Sequence, residues 1–270
     1  MAETSSTSRP APGRLRTEDE GAVRWIVIDN PTRMNAFTAD MWRALPRLIR
    51  AAEADAAVRV VVFRGEGERA FSAGADISEF ETNRAGAQVR EYDELNHEAF
   101  EVLAASSKPT IAMIRGFCMG GALEVAACCD LRIAAEGSQF AIPAAKLGIG
   151  YNPRWVKPLL GVVSAAAAKE LLYTGRRFDH DEARAMGLLN RVVPSERLRA
   201  AVMETAAAIA ENAPLSVLAA KRSIDELVAK PENADFAALD ALVEACFMSE
   251  DYAEGRRAFL EKRKPKFSGR

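Results

Sequence analysis

Two glycine-bearing segments hold the residues best suited to chemistry. The first is Phe71-Ser72-Ala73-Gly74-Ala75-Asp76-Ile77 and the second Gly116-Phe117-Cys118-Met119-Gly120-Gly121-Ala122-Leu123-Glu124. Each follows a run that reads as a buried strand and leads toward a helix. Strand-to-helix turns of this kind leave backbone N–H groups unpaired and aimed outward. Two such donors converging on one point would stabilise a carbonyl oxygen as it becomes negative. Glu124 lies three residues after Gly121, so on a helix its carboxylate covers the same face as that N–H. An oxyanion donor and an acid/base are then neighbours, as chemistry beside a thioester or similar carbonyl requires.

The elements that must position these segments follow from pattern. Val23 to Asp29 reads as a strand, 30–33 as a turn, and Thr38 as the cap of a helix from Ala39 to Ala54, with Met41, Leu45, Leu48 and Ile49 in its apolar stripe. Val58 to Phe63, Pro109 to Ile114, Leu131 to Ala134 and Gln139 to Ile142 read as further strands. Residues 79–104 are polar early and helical late. A helix runs from the second glycine segment to Cys129. Strand, helix, strand and loop recur every ~40–50 residues, which favours stacked ββα units over one doubly wound sheet. From Ser164 onward the chain reads as helical: 165–173, 180–186, 198–210, 215–230, and one or two helices over 235–260. The expected division is a disordered tail over 1–15, an α/β core over 16–200, and a helical lid or oligomerisation region over 201–270.

Composition sets outer bounds. The 270 residues are 49% hydrophobic and 27% charged, with a net charge of −2. That is ordinary for a globular protein, and no global field favours nucleic acid or an anionic membrane. No apolar run is long enough for a transmembrane helix, and the Ser/Thr/Pro-rich start lacks a signal core. Cys118, Cys128, Cys129 and Cys246 lack zinc-ligand spacing. They read as small buried thiols in a reducing cytoplasm. His97 and His180 stand far apart and support no triad. His97, Asp93 and Glu94 read as an exposed helical face, and His180 as a helix-start surface residue.

Together these segments resemble the crotonase superfamily, the enoyl-CoA hydratase/isomerase family, from about Val23 to Phe267. Asn30-Pro31 and Asn35-Ala36 look like its N-terminal CoA-contact turn, 173–178 like its Thr-Gly-Arg stretch, and 254–263 like its C-terminal signature. The resemblance implies a spiral of ββα units, a helical trimerisation region, and homotrimers or dimers of trimers. It implies an acyl-CoA substrate, with coenzyme A arriving as part of that substrate and no separate cofactor or metal. The oxyanion donors would be the amides of Ala75 and Gly121, and the acid/base Glu124. Met34, Ala36, Ala73, Asp76, Ile77 and Gly120 would border the thioester and CoA. Phe259 and Lys262 would form the neighbouring-subunit edge of the nucleotide site.

One departure bears on the reaction. Family hydratases place a second glutamate after the proline of a Phe-x-x-Pro-Glu segment. Here Phe140-Ala141-Ile142-Pro143 is followed by Ala144, and the downstream turn is rebuilt as Gly150-Tyr151-Asn152-Pro153-Arg154-Trp155. Addition of water to a 2-enoyl-CoA, with Glu124 as base, is the leading expectation. Double-bond isomerisation, decarboxylation of a malonyl-type thioester and retro-aldol cleavage stay open. So does a CoA-thioester-binding protein without useful catalysis. Tyr151 reads as a pocket-lining aromatic or a substitute proton donor. Arg154 and Trp155 are either acyl-recognising residues or a solvated loop, and 262–264 either meet CoA phosphates or form a solvated basic tail.

Overall fold

The computed structural model of the protein describes residues 12–79 and 88–270. Among these residues ten strands form two sheets. The large sheet has the order β1 (Arg14–Glu20), β2 (Val23–Asp29), β3 (Val60–Gly65), β5 (Thr110–Ile114), β7 (Leu131–Ala135), β10 (Arg191–Val193). The small sheet runs β4 (Ala70–Ser72), β6 (Phe117–Met119), β8 (Gln139–Ala141), β9 (Phe178–Asp179). Pairing is parallel throughout, except at β1–β2 and β8–β9. The strand pairs β3/β4, β5/β6 and β7/β8 each give one strand to the large sheet and the next to the small one. That alternation is the expected ββα spiral.

Both faces of the large sheet are covered, so its strands read as continuous apolar runs rather than alternating ones. The period of two is still present in the packing. Ile26, Ile28, Val61, Phe63 and Ala112 face one core cluster, with helices α1 (Ala39–Ala54), α2 (Gln88–Ala104) and α3 (Gly121–Cys128). Trp25, Val27, Val60, Val62 and Ile111 face the other, closed by Leu198, Val202 and Ala206 of α7 (Leu198–Ala210). Helices α4 (Pro153–Leu160) and α5 (Ala165–Thr174) lie between β8 and β9, α6 (His180–Ala185) follows β9, and α8 (Pro214–Ala229), α9 (Phe236–Phe247) and α10 (Glu250–Leu260) complete the chain.

Beyond the short strands β4, β6, β9 and β10, which no expected strand covers, three features differ from expectation. β1 begins at Arg14, inside the segment read as a tail. Its charged sequence hid a strand that pairs with β2 over its full length, Arg14 opposite Asp29 to Glu20 opposite Val23. The 200/201 boundary falls within α7, which packs on the large sheet. The rebuilt segment 150–155 is not a loop to its end: Asn152 caps α4 by accepting from Arg154 N, Pro153 opens the helix, and Trp155 is buried. Residues 1–11 of the expected tail lie outside the described residues.

Candidate active site

The parallel run β4–β6–β8 delivers three segments to the C-terminal end of the small sheet: 73–77, 120–124 with the first turn of α3, and 142–144. The register is Ser72 opposite Cys118 and Met119 opposite Ala141. Gly120 N donates to Ala141 O at 2.8 Å, tying the second loop to the third. Gly74 has φ +94°, and a Cβ there would sit 2.6 Å from Met119 O and 3.4 Å from Gly121 N. Only glycine permits this approach of the first loop to the second. Gly120 also has a positive φ, 53° with ψ −125°, a combination that favours glycine.

The first loop is clamped from its other side. Phe37 N donates to Gly74 O at 2.7 Å and Asp76 N donates to Phe37 O at 2.8 Å, a parallel bridge centred on Ala75. In such a bridge the central residue turns its own N–H and C=O away from the partner strand. Ala75 N therefore faces away from Phe37. Gly121 N opens α3, where no earlier carbonyl is within helical reach. Among the described residues neither amide has a hydrogen-bond partner.

Glu124 is fully buried on the first turn of α3, a helix whose residues 122–128 are all buried. Its Oε2 accepts from the Tyr151 hydroxyl at 2.8 Å, and its Oε1 has no partner among the described residues. Burial pushes its pKa from 4.5 up to about 8, against the opposing pull of the Tyr151 hydrogen bond. Burial thus favours the protonated carboxyl near neutral pH. The helix is fixed at both ends. Gly121 lies over the Trp42 ring, and buried Arg132 donates to Cys129 O at 2.5 Å and Ala126 O at 3.3 Å at the C-terminal end.

The remaining residues sort cleanly. Met34 O accepts from Ala73 N at 2.9 Å, and Ala36 O accepts from Asn30 Nδ2 at 2.8 Å, so the 30–36 turn lies against the first glycine loop. Asp76 is buried, caps the Ser78 amide and hydroxyl, and lies 3.7 Å from Arg33. Ile77 begins a 3-10 turn that extends to Glu79. Ala144 packs half-buried against the same core cluster as Tyr151. Phe259 and Lys262 are not brought to this edge within the chain. Phe259 is exposed beside Val243, Phe247, Tyr252 and Phe267, and Lys262 has φ 53° just past α10.

Some expectations need correction. Arg263 is no free tail cation, since it pairs with Glu254 and Glu261. Arg154 takes the solvated of its two readings, turning to the surface and pairing with Glu94 at 3.4 Å. Asp93 and His97 are half-buried rather than exposed, because α2 packs on α1. Cys246 is half-buried rather than buried, as it borders an open pocket between the C-terminal helices. The clamping role of Phe37 was not seen in sequence, nor was the aromatic wall it starts. Phe37 stacks on Trp42, and edge-to-face contacts continue through Phe100 and Trp155 to Tyr151. The Asn152-Pro153 pair carried a readable helix-start signal for Trp155. Nothing local marked the partner of Phe37. No cluster of metal-ligating side chains occurs among the described residues.

Comparison with known proteins assigns the chain to a family. A family model described as enoyl-CoA hydratase/isomerase matches residues 18–270. A crotonyl-CoA hydratase of Syntrophomonas wolfei is 36% identical over 254 residues, covering 94% of this chain and 96% of that protein. A methylmalonyl-CoA decarboxylase of Escherichia coli is 35% identical over 236 residues, covering 86% and 88%. The crystal structure of an enoyl-CoA hydratase/carnithine racemase from Magnetospirillum magneticum superposes with a TM-score of 0.89 at 38% identity, covering 95% and 96%. The chain belongs to the enoyl-CoA hydratase/isomerase family.

Proposed function

We propose that this enzyme acts on an acyl-CoA thioester whose carbonyl oxygen is held by Ala75 N–H and Gly121 N–H, with Glu124 as the acid/base, and that it adds water to a 2-enoyl-CoA. The observation that carries the reading is two unpartnered amides on adjoining loops beside a buried carboxyl with one oxygen open. In hydration, ionised Glu124 takes a proton from water as the oxygen bonds to C3. The electron pair of the double bond moves onto the thioester as an enolate, and the proton then passes from Glu124 to C2. The two amides stabilise the enolate more than the starting thioester, which is what lowers the barrier. No cofactor beyond the substrate's own coenzyme A enters this scheme.

A second reading rests on the proton that burial favours on Glu124 near neutral pH. Decarboxylation of a malonyl-type thioester needs an acid at C2 and no base. Carbon dioxide leaves, its bonding pair forms the same enolate, and Glu124 donates its proton to C2. The methyl group of Ala144, in place of a second carboxyl, removes a like charge from the neighbourhood of a substrate carboxylate. The two readings have opposite pH signs. Hydration gains activity as pH rises through about 8, and decarboxylation loses it. Incubation with crotonyl-CoA, following the conjugated thioester absorbance, tests hydration directly. No turnover of crotonyl-CoA alongside turnover of a malonyl or 3-enoyl thioester would discard it. A purely CoA-ester-binding protein would show no turnover with any of them, and no difference between wild type and Glu124→Gln.

Self-association completes the proposal. Phe236, Phe247, Met248, Phe259 and Leu260 are large apolar side chains exposed on α9, on α10 and at the turn between them, a pattern that marks an interaction surface. Homotrimers or dimers of trimers would cover them, and a monomer in sedimentation velocity would overturn this. Four free cysteines, three of them buried, fit the reducing cytoplasm expected above.

A further inference from the structure

We infer that Tyr151 is a positioning residue for Glu124. Its hydroxyl fixes Oε2, so that Oε1 alone addresses the substrate, doing by a phenol what a second carboxyl at position 144 would otherwise share. This inference rests on the acid/base reading of Glu124. Three observations on the chain's geometry carry it.

The contact is short and specific: Tyr151 O–H donates to Glu124 Oε2 at 2.8 Å, across 27 residues of sequence. The phenol is held where it must be. Ile149 N donates to Ala144 O at 3.0 Å, so the chain doubles back beside Ala144 and presents Tyr151 two residues later. The Tyr151 ring meets buried Trp155 edge-to-face with centroids 5.6 Å apart, and Trp155 in turn meets Phe100 of α2 at 6.1 Å. The Asn152 cap fixes the start of α4 between the two aromatics. The third observation is the open oxygen: Oε1 is buried without a partner among the described residues. A buried carboxyl with one oxygen tied and one free is aimed at something the fold does not supply.

A hydrogen bond from a phenol to a carboxylate favours the ionised form. Among the described residues no other titratable group hydrogen-bonds Glu124. Cys128, on the same helix, and Cys118, on β6, are buried thiols whose pKa burial raises well above 9. Tyr92 of α2 accepts from Trp42 Nε1 at 3.0 Å, and Arg154 of α4 pairs with Glu94. Replacing Tyr151 by Phe therefore raises the pKa of Glu124 whichever reaction it serves. The limb of the rate profile that belongs to Glu124 moves to higher pH for a base and for an acid alike.

The test titrates the full-length protein carrying 13C-carboxyl glutamate, by NMR, with Glu124→Gln identifying the Glu124 signal. In Tyr151→Phe the midpoint is expected to rise by about one pH unit or more. With whichever of crotonyl-CoA, a 3-enoyl-CoA or malonyl-CoA the wild type turns over, kcat is expected to fall about tenfold with KM within about twofold, since orientation rather than binding is lost. A midpoint that stays or falls overturns the inference, even if kcat drops, because a packing defect lowers rate without moving a titration. Tyr151→Met, which removes both ring and hydroxyl, is expected to give the same upward direction. The two proposals fail separately. A fully active Glu124→Gln would defeat the acid/base reading and this inference with it. An inactive Glu124→Gln with an unmoved Tyr151→Phe titration would defeat this inference alone.

Discussion

The two halves of the site are built from different material. The half that would meet the thioester is backbone: Ala75 N and Gly121 N, set by the Phe37 bridge, the Gly120–Ala141 hydrogen bond and the close approach at Gly74. The half that would move protons is side chain: one buried carboxyl, one phenol and a methyl where a carboxyl could stand. Backbone donors are held by the register of three strands and survive most substitutions along them. Side-chain chemistry can be exchanged one residue at a time. A single scaffold can thus keep the enolate and change the reaction, and relatives named for hydration and for decarboxylation are similar to this chain to nearly the same degree.

The largest expected effect comes from the side-chain half. Glu124→Gln keeps the shape and removes the ionisable group, so kcat should fall on the order of 10²–10⁴-fold, measured with the substrate the wild type accepts. Retention of more than a tenth of the rate would move the acid/base elsewhere. Next comes the backbone half. Gly74→Ala forces a methyl to 2.6 Å from Met119 O at a positive φ, so the first loop must shift away from the second. Loss of one oxyanion donor's alignment should cost on the order of 10²–10³-fold in kcat, with a lowered Tm. A fully active variant would show that this loop does not set the donor.

The same carboxyl carries a stability signature. Between its ordinary value of 4.5 and about 8, native Glu124 holds a proton that the unfolded chain has released. The native state binds more protons there, so its stability falls as pH rises. Glu124→Gln should therefore be the more stable protein, by an amount that grows from pH 5 to pH 8 and reaches on the order of a few kcal/mol. Chemical denaturation at the two pH values measures it, and a pH-independent difference would contradict the buried, protonated carboxyl. The smallest effect is expected at the rim. Arg154 and Glu94 are both more than half exposed, so Arg154→Ala should change kcat/KM by less than about twofold and stability by under ~1 kcal/mol. A larger loss would return Arg154 to the role of acyl recognition.

Much of this was legible in the sequence, and the omissions have physical reasons. The Thr38 cap, the 198–210 helix and the strand before each glycine segment are local, written in periodicity and turn chemistry. Gly74, Gly120 and Glu124 declared themselves through residue type and spacing. β1 was hidden by charged residues that an edge strand tolerates, and β4, β6, β9 and β10 by shortness. Trp155 read as an acyl-recognising residue or as part of a solvated loop, whereas the Asn152 cap and Pro153 at the first helical position place it on a buried helix face. The Phe37 bridge and the Tyr151–Glu124 contact join residues 38 and 27 positions apart. Such pairings depend on how the spiral closes, which no local pattern encodes.

A crystal structure with a bound non-reacting acyl-CoA thioether or thioester analogue tests the central claim most directly. The account predicts the acyl oxygen within about 2.7–3.1 Å of both Ala75 N and Gly121 N, with Glu124 Oε1 turned toward C2 and C3. An acyl oxygen seated elsewhere, with those two amides bonded to protein or pointing apart, would contradict it.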